Sequence, residues 1–95
     1  MTIADIQQKI TPIFKDYGIT YAGIFGSFAR GQSTEKSDVD LIVRLGRPMG
    51  LFSYMKFING LEEKLNKKVD VVTEQSINKH VKPYIASDVK IIYEE

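Results

Sequence analysis

Gly26-Ser27, ten intervening residues, and then Asp38-Val39-Asp40-Leu41-Ile42-Val43 decide how this 95-residue chain is read. The run from Asp38 to Leu45 is predicted as a strand, because β-branched and large apolar residues alternate with polar ones. Residues two apart on a strand share a face, roughly 6.5–7 Å apart along it. Asp38 and Asp40 therefore project together, while Val39, Leu41 and Val43 point to the opposite face and can anchor the strand in a core. Two carboxylates held side by side repel, and a hard divalent cation with oxygen ligands such as Mg²⁺ relieves that repulsion. Asp70, in Lys68-Val69-Asp70-Val71-Val72, is a third acid flanked by apolar strand residues. If its strand neighbours that of Asp40, an Asp38/Asp40/Asp70 cluster forms. Three acids around one or two Mg²⁺ ions suit phosphoryl or nucleotidyl transfer.

The Gly26-Ser27 half supplies the complementary chemistry. Ile19–Phe25 is predicted as a strand, Gly26 as a tight turn and Ser27–Arg30 as a short helical turn closed by Gly31. That arrangement aims backbone N–H groups at an anion. Gly26 lets the chain approach a phosphate closely, Ser27 adds a hydroxyl, and Arg30 can donate to phosphate oxygens in a fork. The alternative for Arg30 is an ion pair with Glu35 or another neighbouring acid, and phosphate contact is the favoured reading. No Lys-Ser/Thr pair follows Gly31, so this is not a Walker A loop, nor is it a G-x-G-x-x-G fingerprint. Each piece has an ordinary structural reading when taken singly. Their joint order on the predicted elements is what points to chemistry.

Working outward, Ile3, Ile6, Ile10, Ile13 and Tyr17 recur at steps of three and four, one face of a helix. Thr2 and Asp5 form a potential capping box, Pro12 kinks or restarts the helix, and Gly18 stops it. A second long helix is predicted over Leu51–Asn66, with Leu51, Met55, Ile58, Leu61 and Leu65 on one face. Phe52, Tyr54 and Phe57 surround that helix as core or partner-facing aromatics. Val69–Thr73 reads as a strand, Glu74–His80 and Pro83–Ser87 as helical turns, and Val89–Tyr93 as a last short strand. The fold class is α/β (α+β): a small mixed β-sheet flanked by helices, in the order α-β-α-β-α-β-α-(β). Residues 1–95 are read as a single domain.

Composition narrows the field further. Thirteen Lys and Arg nearly cancel twelve Asp and Glu, so there is no basic field of the kind that grips nucleic acid. The chain has no Cys and one His, His80, which leaves neither a Cys-based zinc site nor a His-rich metal site. No apolar run reaches membrane-spanning length, and a cytoplasmic location is the expectation. Arg44 and Arg47 bracket the end of the second strand, as solvated residues or within reach of a nucleotide or partner.

The combined pattern resembles the signature of the polymerase-β-type nucleotidyltransferase superfamily. Phe25-Gly26-Ser27-Phe28-Ala29-Arg30-Gly31, with Ser37-Asp38-Val39-Asp40-Leu41, is similar to its minimal nucleotidyltransferase (MNT) branch. The resemblance implies a polymerase-β-like fold in which Gly26, Ser27 and Arg30 hold the triphosphate of ATP. It implies that Asp38, Asp40 and Asp70 are catalytic and bind two Mg²⁺ ions, with Asp70 assisting deprotonation of the acceptor. The implied reaction transfers AMP from ATP to a hydroxyl, a tyrosine of a partner HEPN-domain toxin encoded by a neighbouring gene, so that the chain acts as antitoxin. Two other functions fit the same residues. One is a non-catalytic antitoxin that neutralises its partner by contact. The other is the catalytic subunit of a two-chain, aminoglycoside-type nucleotidyltransferase, which needs a substrate-binding helical region from a second polypeptide. A catalytic core of this length leaves little chain for an acceptor site, so a macromolecular acceptor is expected.

Overall fold

The computed structural model describes residues 1–74 and 88–95. In chain order its elements are α1 (Ile3–Asp16), β1 (Ile19–Phe25), β2 (Val39–Leu45), α2 (Leu51–Leu65), β3 (Val69–Thr73) and β4 (Lys90–Glu94). The expected helical turns Glu74–His80, past its first residue, and Pro83–Ser87, with His80 and Tyr84, lie outside the described residues. Among the described residues no helix is long and apolar enough to cross a membrane.

The four strands form one mixed sheet in the order β3-β2-β1-β4. β1 pairs antiparallel with both β2 and β4, whereas β2 and β3 are parallel. The connections explain this. A parallel pair requires a crossover, and α2 supplies it between β2 and β3. β1 and β2 need only a loop to reverse direction. The helical segment expected between them is accordingly one turn, closed by Arg30 N–H donating to Gly26 O at 3.1 Å. The order among the described residues is thus α-β-β-α-β-β.

α1 starts as its sequence suggests. Asp5 N–H donates to Thr2 Oγ1 at 3.1 Å, and Thr2 N–H donates to Asp5 Oδ2 at 2.9 Å. Those bonds hold the Asp5 carboxyl below the ordinary carboxylate range. Pro12 does not break the helix, which runs through it to Asp16. Gly18, at φ +71°, then turns the chain into β1.

α1 and α2 pack together on one face of the sheet. Ile6, Ile10 and Phe14 of α1, Phe57, Leu61 and Leu65 of α2, and Val39, Leu41 and Val43 of β2 are all buried there. Phe57 sits at the centre, 5.4 Å from the Tyr17 ring and 6.1 Å from that of Phe14. Tyr93 of β4 closes on Phe14 at 5.5 Å. The expected α2 stripe is therefore corrected at its N-terminal end. Leu51 and Met55 are 71% and 52% exposed, and Phe57 takes the core position in their place. Leu51 is the first residue of the helix, and Phe57 shares the face of Leu61 and Leu65.

Candidate active site

The face of the sheet away from the two helices carries the acids. Register places Phe25 of β1, Asp40 of β2 and Asp70 of β3 in one row across three strands. In a sheet, neighbouring strands lie roughly 4.8 Å apart, so the Asp40 and Asp70 backbones are as close as adjacent strands allow. Asp38 lies just before β2, which begins at Val39, one residue later than the sequence pattern suggests. Val39, Leu41 and Val43 are fully buried on the other face. This alternation forces the even-numbered acids outward and fixes their register.

The electrostatics tie the acids together. Partial burial raises the proton affinity of Asp40 above the ordinary carboxylate value, and the negative charges of Asp70 and Asp38 raise it further. The guanidinium of Arg30 acts in the opposite direction. The structure thus brings Asp38, Asp40, Asp70 and Arg30 within one electrostatic neighbourhood. The carboxylates share a face without forming a cage, since no three His, Cys, Asp or Glu among the described residues converge on a metal-sized point. The donor set nevertheless fits Mg²⁺. All the candidate ligands are hard oxygens, and Mg²⁺ is commonly held by one or two carboxylates together with substrate phosphates and water. A cation would also relieve the repulsion concentrated on Asp40.

The turn after β1 lies directly over this row. Gly26 has φ +73°, and a Cβ there would collide with Oδ2 of Asp40, with Cγ only 3.1 Å away. The backbone conformation favours glycine, and any side chain there would displace the Asp40 carboxylate beneath it. The N–H groups of Ser27, Phe28 and Ala29 make no backbone hydrogen bond among the described residues. They are the donors that the expected anion cradle would use, on the single turn that the sequence suggests. Phe28 anchors that turn in the core cluster.

Arg30 projects from the same turn and does not pair with Glu35. Its Nη1 donates to Asp88 Oδ2 at 3.0 Å, and its Nε donates to Gln32 Oε1 at 3.3 Å. Asp88, two residues before β4, carried no spacing signal that would single it out. Lys67 is a second residue that motif reading passes over. Its Nζ donates to the carbonyls of Glu35 at 2.7 Å and Ser37 at 3.4 Å, holding the loop that leads into Asp38. Arg44 and Arg47 have structural partners. Arg44 makes a two-pronged contact with Glu74, at 2.7 and 3.3 Å, over the Tyr21 ring. Arg47 donates to the carbonyl of Asp16 at 3.3 Å.

Known proteins are similar to this chain in sequence and fold. Residues 8–95 match the family described as Polymerase beta, Nucleotidyltransferase. A Methanocaldococcus jannaschii protein, provisionally named a protein adenylyltransferase, is 40% identical over 88 residues, 93% of this chain and 95% of that one. The protein adenylyltransferase MntA of Thermococcus cleftensis is 28% identical over 93 residues, 94% of each chain. The fold also superposes on a chain from a structure of a tri-AMPylated Shewanella oneidensis HEPN toxin in complex with an MNT antitoxin. There the TM-score is 0.73 at 17% identity, covering 95% of this chain and 71% of that one. With its acids on one row of the sheet and a glycine turn above them, the chain belongs to the polymerase beta nucleotidyltransferase family.

Proposed function

We propose that this chain is a Mg²⁺-dependent protein adenylyltransferase that moves AMP from ATP to a tyrosine hydroxyl on a HEPN-type toxin, and so serves as its antitoxin. The observation that carries the reading is the register of Asp40 beside Asp70 beneath the Gly26–Gly31 turn. The names of the relatives and the AMPylated toxin in the superposable complex support the acceptor class.

In this reading the backbone N–H groups after Gly26, the Ser27 hydroxyl and the Arg30 guanidinium bind the triphosphate and orient its α-phosphorus toward the acceptor. Asp38, Asp40 and Asp70 would hold Mg²⁺, which lowers the pKa of the attacking hydroxyl and neutralises charge on the leaving pyrophosphate. The acceptor oxygen bonds to the α-phosphorus as the bond to the pyrophosphate oxygen breaks. Asp70, exposed on β3 at the edge of the row, accepts the acceptor's proton. Gly26 leaves Asp40 room to stay under the turn.

The test is incubation with ATP labelled on the α-phosphate, Mg²⁺ and the HEPN-type product of the neighbouring gene. Wild type is expected to label the partner, and Asp38→Asn with Asp40→Asn to abolish labelling. An unlabelled partner, or undiminished labelling by the double variant, overturns the proposal. The exposed Leu51, Phe52 and Met55 on α2 favour a second reading, neutralisation by contact alone. Cells protected fully by the double Asp variant would establish that reading instead.

A further inference from the structure

We infer that Asp88 is a positioning residue for the nucleotide: it holds the guanidinium of Arg30 at the edge of the acidic row with donors left for the triphosphate. The inference rests on the nucleotide-binding reading above.

The two partners differ in how firmly they are held. Arg30 stands on a one-turn segment with positive-φ glycines at both ends, Gly26 and Gly31. Its side chain is about half exposed. Unrestrained, so long a side chain samples many rotamers and loses that freedom when it grips a ligand. Asp88 belongs to the sheet side of the molecule. The next residue, Val89, packs over Gly23 of β1, where the missing Cβ makes room for it. Lys90 then enters the ladder opposite Ile24. The 3.0 Å ion pair therefore ties the free end of a long, half-exposed side chain to a residue beside an anchored strand.

The pair leaves the arginine usable. A guanidinium has five N–H donors, and two have partners among the described residues, Asp88 and Gln32. The other three can meet phosphate oxygens without breaking either contact. An exposed ion pair of this kind adds little to folding stability. Its main consequence is the direction in which Arg30 points. Asp88 also brings a negative charge toward a polyanion, so orientation and repulsion oppose each other. The held geometry favours orientation.

Calorimetric titration of the full chain with ATP and Mg²⁺ separates the outcomes. Asp88→Ala is expected to weaken ATP binding roughly three- to tenfold. Asp88→Asn keeps an acceptor for Arg30 and is expected to fall between Asp88→Ala and wild type. In an Arg30→Ala background, Asp88→Ala is expected to cause no further loss of affinity. Asp88→Asn also keeps the test decisive if Asp88→Ala folds poorly. Unchanged or tighter ATP binding by the Asp88 variants overturns the inference, and so does a full Asp88→Ala effect in the absence of Arg30. A wild-type chain that binds no ATP overturns the nucleotide-binding reading, and the inference with it.

Discussion

Replacing Gly26 with alanine tests the link between turn and acid, and Gly31→Ala is its internal control. Both glycines have nearly the same backbone conformation, φ +73° and +71°. A left-handed conformation costs a non-glycine residue about 1–2 kcal/mol. The lower entropy of an unfolded alanine chain returns about 0.4–1 kcal/mol of that. Each variant is thus expected to lose about 1 kcal/mol, a drop in melting temperature of about 4–8 °C for a domain of this size. Their surroundings differ completely. A Cβ at Gly31 meets nothing within 4 Å, whereas one at Gly26 lies 3.1 Å from Cγ of Asp40 and closer still to Oδ2. Asp40 yields by rotating, since its carboxylate is the free end of a side chain. Rotation toward water also relieves the burial that disfavours its charge, so the thermal cost of Gly26→Ala stays close to that of Gly31→Ala. Activity does not follow stability. A displacement of about 1 Å in a catalytic group can cost about 100-fold in rate. Gly26→Ala is therefore expected to lose at least that much adenylyl transfer, and Gly31→Ala only a few-fold. Thermal melts and transfer of α-labelled AMP measure the two effects. An NMR titration of the Asp40 carboxyl adds a direct readout: its proton affinity should fall toward the ordinary carboxylate value in Gly26→Ala and hold in Gly31→Ala. Equal activities, or an unmoved Asp40 titration, would refute the reasoning.

Three further outcomes are expected. The folded-state pKa of Asp40 lies above its unfolded value, so the acid's contribution to stability is fully present below the unfolded pKa and is lost as pH rises through the folded one. Asp40→Asn should therefore gain in denaturation midpoint over wild type as pH rises through that window, while transfer is lost; a gap that does not change with pH argues against it. Phe57→Ala removes the fully buried ring at the centre of the core and should cost about 3–5 kcal/mol in urea melts, against about 0.5 kcal/mol or less for Phe52→Ala, which is 80% exposed. Mg²⁺ should raise the melting temperature of wild type, because a ligand of the folded state stabilises it. That rise should disappear with Asp38→Asn plus Asp40→Asn, and its persistence would place the ion elsewhere.

Much of this architecture was legible because local patterns and tertiary demands agree. The β1 and β3 boundaries follow from glycines and apolar runs, and the capping box of Thr2 and Asp5 is entirely local. The pairing of Asp40 with Asp70 was readable as a condition, met once β2 and β3 lie side by side. What escaped depends on contacts distant in sequence. α2 carries two apolar stripes, Leu51/Met55 and Phe57/Leu61/Leu65, and periodicity alone cannot choose between them. The choice is made by the rings of Phe14 on α1 and of Tyr17 just after it. Arg30 and Asp88 are 58 residues apart and lie within no common motif.

The row of acids persists because the opposite face of the same strand holds it there. Left alone, Asp40 would move away from Asp38, Asp70 and the desolvating turn. It cannot do so by shifting the strand. A one-residue slip would carry Val39, Leu41 and Val43, all fully buried, onto the open face and bring the acids into the core. The aliphatic anchors therefore set the position of the carboxylates, and the core opposes the local repulsion at the site. Small motions of the Asp40 side chain remain possible, and Gly26 above and Asp70 beside it limit those. The glycine turn and the Asp-x-Asp strand act as one device: the strand register brings the charge in, and the turn keeps it under the triphosphate cradle.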